Sequence, residues 1–112
     1  MIYKRPSTAE GKVVITFEIP GSVWADQIHL VGDFNGWDRQ SLPFRLTRRD
    51  KWQVELELEQ GHEYHFRYLV DGAHWRSDRH ADLHTLGADG LLDSVVITRT
   101  TAALGAQQPQ AA

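Results

Sequence analysis

Apolar and polar residues alternate with a period of two along most of the chain. In "KWQVELELE", Trp52, Val54, Leu56 and Leu58 alternate with Gln53, Glu55, Glu57 and Glu59, the pattern of a strand with one buried face and one wet face. "VVITFEIP" puts Val13, Ile15, Phe17 and Ile19 on one face and ends at Pro20-Gly21, a strand with a turn behind it. "QIHLVG" predicts a short strand through Ile28 and Leu30. "EYHFRYLV" sets Tyr64, Phe66, Tyr68 and Val70 to one side, and "DSVVIT" supplies a last strand. Turn signals at "PGS", "DFNG", "RRDK", "EQGHE" and "VDGAH" separate these runs. "SVWADQ" is too short to stand as a helix. The prediction is an all-β antiparallel sandwich over residues 12–99. Residues 1–11 are expected to form an N-terminal arm, and residues 100–112, small, polar and interrupted by Pro109, a disordered tail.

Period two also says what lies on the other side of the sheet. If Tyr64, Phe66, Tyr68 and Val70 face the core, then His65, Arg67 and Leu69 face away. Arg67 then stands on an outer face near the turn "VDGAHW", which delivers Trp75. Trp37, in "VGDFNGWDRQ", also falls on a turn rather than at an alternating position. Trp52 belongs to an apolar strand face and is expected in the core, whereas Trp24 lies in a loop and fits either place. An indole on a loop can fold back over the core or face outward to a ligand. Outward, its ring face stacks on the apolar C–H face of a sugar while polar neighbours bind the hydroxyls. Arg67 can donate to such hydroxyls, and Asp78 or Asp93 can accept.

Composition narrows the classes of function. A formal charge of −3 over 112 residues argues against a phosphate-tracking nucleic-acid binder; "RLTRR", Arg45 to Arg49, is read as a solvated edge or turn. Without cysteine there is no disulfide, thiolate metal site or cysteine nucleophile. No apolar run approaches the roughly 18 residues of a membrane span, and the N-terminus has no signal-like apolar region. A cytoplasmic protein is the expectation.

The run from "VGDFNGW" through "LELEQGHEYHFRYLVDG" to the tryptophan after that turn, with the closing "DSVVIT", resembles the carbohydrate-binding modules of family 48. That family is the immunoglobulin-like early-set domain found ahead of the barrel in isoamylases and glycogen-branching enzymes. It also includes the glycogen-binding domain of the β subunit of AMP-activated protein kinase and stand-alone bacterial proteins of this size. The likeness covers about residues 13–98. It implies a platform for α-1,4-linked glucose made by Trp37, Trp75 and the basic residue Arg67; Asp78 and Asp93 are expected to contribute at its rim. The chain departs from the pattern in five ways, one being that the loop "DRHADLHTLGADGLL" lacks the prolines and asparagines common in bacterial relatives. Arg67 stands where the kinase-type domain has lysine, and one extra residue, Ala73 or His74, precedes Trp75. Asp93-Ser94 replaces an Asn-containing pair, and Leu91 and Leu92 stand where sugar-facing polar residues are usual.

Catalysis is not expected. Glycoside hydrolysis needs two carboxylates about 5 to 10 Å apart across a cleft, whereas the acids of "ELELE" are regular outward positions and Asp33 and Asp71 suit turns. A catalytic barrel would need about 250 further residues. "GHEYH" is one residue short of a zinc motif, and on a strand His62 and His65 point to opposite faces. No metal or cofactor is expected, and no serine lies in a nucleophile elbow. The leading expectation is a non-catalytic module for glycogen, starch or maltodextrin. The rival is a protein-interaction module beside a glycogen-metabolising enzyme, with Trp24, Trp37, Leu91 and Leu92 as an apolar patch. Indoles buried against Leu91 and Leu92 would favour the rival; indoles flanking an open groove would favour sugar.

Overall fold

The computed structural model describes residues 1–98, so the tail expected over 100–112 lies outside the described residues. Nine strands form in chain order: β1 (Ile2–Pro6), β2 (Lys12–Pro20), β3 (Ile28–Gly32), β4 (Arg45–Leu46), β5 (Lys51–Glu59), β6 (His62–Val70), β7 (His74–Arg76), β8 (Leu83–Leu86) and β9 (Leu92–Thr98). They build two antiparallel sheets, β1-β2-β5-β4 and β3-β6-β9-β8, with β7 on the edge of β6 beyond β9. This is an immunoglobulin-like sandwich of two antiparallel sheets. Among the described residues no helix is long and apolar enough to cross a membrane.

The alternating residues meet between the sheets as expected. Val13, Ile15, Phe17 and Ile19 of β2 are buried against Phe66, Tyr68 and Val96 of the facing sheet. Phe17 and Phe66 pack edge-on at 5.1 Å, and Phe44 and Tyr68 at 5.4 Å, each pair adding about 0.5–1.5 kcal/mol beyond area burial. Trp52 is in this core, and its Nε1 donates to the Val23 carbonyl at 3.2 Å.

Two segments differ from expectation. The first is the arm: Ile2–Pro6 pairs with β2 from Ile2 opposite Phe17 to Pro6 opposite Val13. Only Ile2 of this segment packs against the core, so the hydrophobic pattern carries almost no signal for an edge strand. The second is β6. Its outer residues Arg67 and Leu69 are buried as deeply as its inner ones, so from Phe66 onward both faces are covered.

Gly32 sits where β3 crosses β6 most closely. A Cβ there would lie 2.5 Å from the His65 carbonyl oxygen and 2.8 Å from the Phe66 Cβ, both held by the sheet. Gly32→Ala is expected to destabilise the fold by about 1–3 kcal/mol, measured as a lower urea midpoint at unchanged slope.

Candidate functional site

The turn after β3 is built around its polar side chains. Asn35 Oδ1 accepts from the Gly32 amide at 3.0 Å, and its Nδ2 donates to the Asp38 carbonyl and the Ser41 hydroxyl. Phe34 turns inward onto Phe17 and Phe66. Trp37 turns outward with φ of 61°, a left-handed conformation that costs a bulky residue about 1–2 kcal/mol. Its amide donates to the Gly32 carbonyl at 2.9 Å, and its Nε1 donates to Asp33 Oδ1 at 3.0 Å. Asp33 Oδ2 accepts from the His65 amide of β6. Asp33 therefore ties the indole to the sheet, a longer-range role than the turn chemistry expected of it. Asp71 likewise reaches across to the Asp26 and Gln27 amides.

Trp75 is placed by pairing, not by a turn. It lies on β7 opposite Leu69, so it shares the outer face of β6 with Arg67. The Arg67 Cζ lies 5.9 Å from the Trp37 ring centre and 5.7 Å from that of Trp75, within cation–π range of both. Arg39, two residues beyond Trp37, lies over Trp75 at 5.3 Å. It has no hydrogen bond or ion pair among the described residues, and the sequence pattern had offered no reason to single it out.

What holds Arg67 between the indoles is a pair of carboxylates. Its Nε donates to Asp93 Oδ1 at 2.5 Å, and Nη1 and Nη2 donate to Asp89 at 2.7 and 2.9 Å. Nη2 also reaches the Leu91 carbonyl at 3.4 Å. Of the five N–H groups of a guanidinium, four are thus taken within the protein. The fork with Asp89 is bidentate, the strong geometry for such a pair. It raises the Arg67 pKa, so the cation persists at every working pH. The same hydrogen bonds, with help from the Leu91 amide, hold the Asp89 carboxyl well below the usual carboxylate range.

Asp89 was not foreseen. It sits in "GADG", where the Gly90 amide donates to the Gly87 carbonyl and the Gly87 amide to the Leu91 carbonyl. This tight turn carries the carboxylate back over β6. A Cβ on Gly87 would lie 2.5 Å from Arg67 Nη2, an atom fixed by its ion pairs. Gly87→Ala is therefore expected to push the guanidinium off the indoles, weakening ligand binding several-fold and lowering the urea midpoint.

The structure thus brings together Trp37, Arg67, Trp75 and Asp93, and it sets Asp78 apart. Asp78 is bonded to the hydroxyl of Tyr68, which faces the core, whereas Arg67, one residue earlier, faces out. Its carboxylate also accepts from the His80 amide at 2.8 Å and the Met1 ammonium at 3.0 Å. The rim role expected of Asp78 does not stand, because the chain leaves the outer face after β7. Asp93, 9% exposed, spends one oxygen on Arg67 and presents the other to His65 at 3.7 Å. It orients the guanidinium and is not a free acceptor.

Burial by itself would raise the Asp78 pKa, but the Tyr68, His80 and Met1 donors outweigh it and leave the pKa lowered. A carboxyl whose folded pKa is depressed adds stability that is full above its unfolded value of about 4 and lost as pH falls through the folded one. Urea melts at pH 6 and pH 3 are expected to show a stability loss that is smaller in Asp78→Asn. Asp78→Ala is expected to cost about 1–3 kcal/mol by stranding the Tyr68 hydroxyl, with ligand affinity untouched.

Trp37 is 37% exposed, Trp75 half-buried, Leu91 and Leu92 each 45% exposed and Leu86 74% exposed. The two indoles flank Arg67 and open to solvent. Among the described residues no three of His, Asp and Glu converge as metal ligands. No curated protein matches the chain. The family described as the glycogen recognition site of AMP-activated protein kinase matches residues 12–102, a span that holds Trp37, Arg67, Trp75, Asp89 and Asp93. The chain belongs to that family, a carbohydrate-binding module of the family-48 type.

Proposed function

We propose that the outer face of β6 binds α-1,4-linked glucans, as found in glycogen, starch and maltodextrin, without catalysis. The observation that carries this reading is a charged guanidinium clamped within 6 Å of two solvent-facing indoles. That arrangement keeps Trp37 and Trp75 apart and oriented with no ligand present. The ring entropy and ordering costs of binding are thereby reduced. Each indole offers an apolar plane to the C–H face of a glucose unit. Arg39, over Trp75, offers N–H donors to hydroxyls, and Asp93 fixes the geometry of Arg67. Two exposed aromatic contacts support a dissociation constant between ~1 μM and ~1 mM, which repeated sites on a polymer strengthen by avidity. In native gels the protein is expected to be retarded by glycogen and not by dextran, whose glucose is linked differently. Equal mobility in both gels would contradict the reading.

The exposed Leu86, Leu91 and Leu92 beside the site favour a second reading, in which a glycogen-metabolising enzyme docks on the same face. Glucan then competes with the enzyme for the protein, whereas separate faces leave both bound together.

A further inference from the structure

We infer that Asp89 is the group at this site that reads sugar hydroxyls, and that Arg67 is the positioning residue that presents it. The inference rests on the glucan reading above and adds to it the polarity of the contact.

It follows from what is accessible. The Arg67 side chain is 8% exposed, and four of its five N–H groups are occupied. The Asp89 side chain, its bidentate partner, is 52% exposed. A glucose unit lying across Trp37 and Trp75 therefore meets the outer edge of a carboxylate, while the guanidinium stays behind it. Each carboxylate oxygen has two acceptor positions. Oδ1 accepts from Nη2 and from the Leu91 amide, and Oδ2 accepts from Nη1, which leaves Oδ2 open for a hydroxyl. The turn that carries Asp89 is fixed by its own backbone hydrogen bonds and by the Leu91 amide on Oδ1. The acceptor is thus held in place before the sugar arrives. The acceptor role expected of Asp78 and Asp93 moves to a residue whose carboxylate faces solvent.

Donor and acceptor readings make opposite demands on the ligand. A carboxylate needs O–H donors on the sugar. A guanidinium needs only acceptor oxygens, which a methyl ether retains. Titration calorimetry with β-cyclodextrin and permethylated β-cyclodextrin separates the two. Wild type is expected to prefer the hydroxylated ring by tenfold or more. Asp89→Ala is expected to lower affinity for the hydroxylated ring about tenfold and to shrink the preference towards unity. Asp89→Asn, which keeps one acceptor and the shape of the turn, is expected to fall between. A preference unchanged in both variants would overturn the inference. So would tighter binding by Asp89→Ala, since the carboxylate would then be a cover over Arg67. If wild type binds neither ring, the glucan reading fails as well, an outcome distinct from binding whose preference ignores Asp89.

Discussion

Trp37→Ala and Trp75→Ala are each expected to weaken binding of maltoheptaose about thirtyfold, and the double variant to abolish it. Anchoring aromatics at the centre of a small interface commonly cost about 2 kcal/mol or more when truncated, and 1.4 kcal/mol is a factor of ten. Among the described residues two indoles flank Arg67, and no third indole there takes up the loss. The expected effect on stability runs the other way at Trp37. Its left-handed backbone is comfortable only for glycine. Trp37→Gly is therefore expected to be at least as stable as Trp37→Ala while binding equally poorly. Strain of this kind persists where a side chain is needed for something other than folding. Urea melts beside calorimetry give both quantities. A Trp37→Ala protein that binds as wild type does would remove the indole from the site.

The second large effect is at Arg67. Arg67→Ala leaves Asp93 buried without its cation and Asp89 without its fork. Removing one member of a buried pair typically costs about 3–5 kcal/mol, a large share of what a domain this size has. Arg67→Lys is expected to recover part of that loss. A lysine supplies the charge but cannot reach both carboxylates with a planar fork. Arg67→Met combined with Asp93→Leu is expected to restore most of the stability by replacing the pair with apolar groups, yet to bind no glucan. If Arg67→Ala melted with wild type, the network would carry no load.

The sandwich was legible in the sequence because its long strands carry an alternating apolar face, which reports the core side even in β6, where part of the outer face is covered too. β1 escaped because an edge strand with one core contact, Ile2, has no alternation to show. β7 escaped because three residues cannot display a period, so Trp75 was assigned to a turn. The parity argument placed Arg67 correctly on the outer face of β6. It said nothing of what Arg67 meets there, since its bidentate partner Asp89 is 22 residues away. Asp78 was expected at the rim because it follows Trp75 by three residues, but after β7 its carboxylate meets the core-facing Tyr68 hydroxyl instead. "GADG" held the one available hint, two glycines bracketing a short acidic turn. Nothing local named its arginine partner. The sequence therefore singled out Trp37, Arg67, Trp75 and Asp93, which the fold brings to one face, but not Asp89, nor the ion pair that Asp93 makes.

The most direct test follows the four indole Nε1–H resonances during titration with maltoheptaose. Trp37 and Trp75 are expected to shift saturably together, with the buried Trp52 and the 94% exposed Trp24 unmoved. No shift of either Trp37 or Trp75 at about 10 mM sugar, well above the millimolar limit of the expected range, would contradict a tryptophan platform on this face. So would a response confined to Trp24.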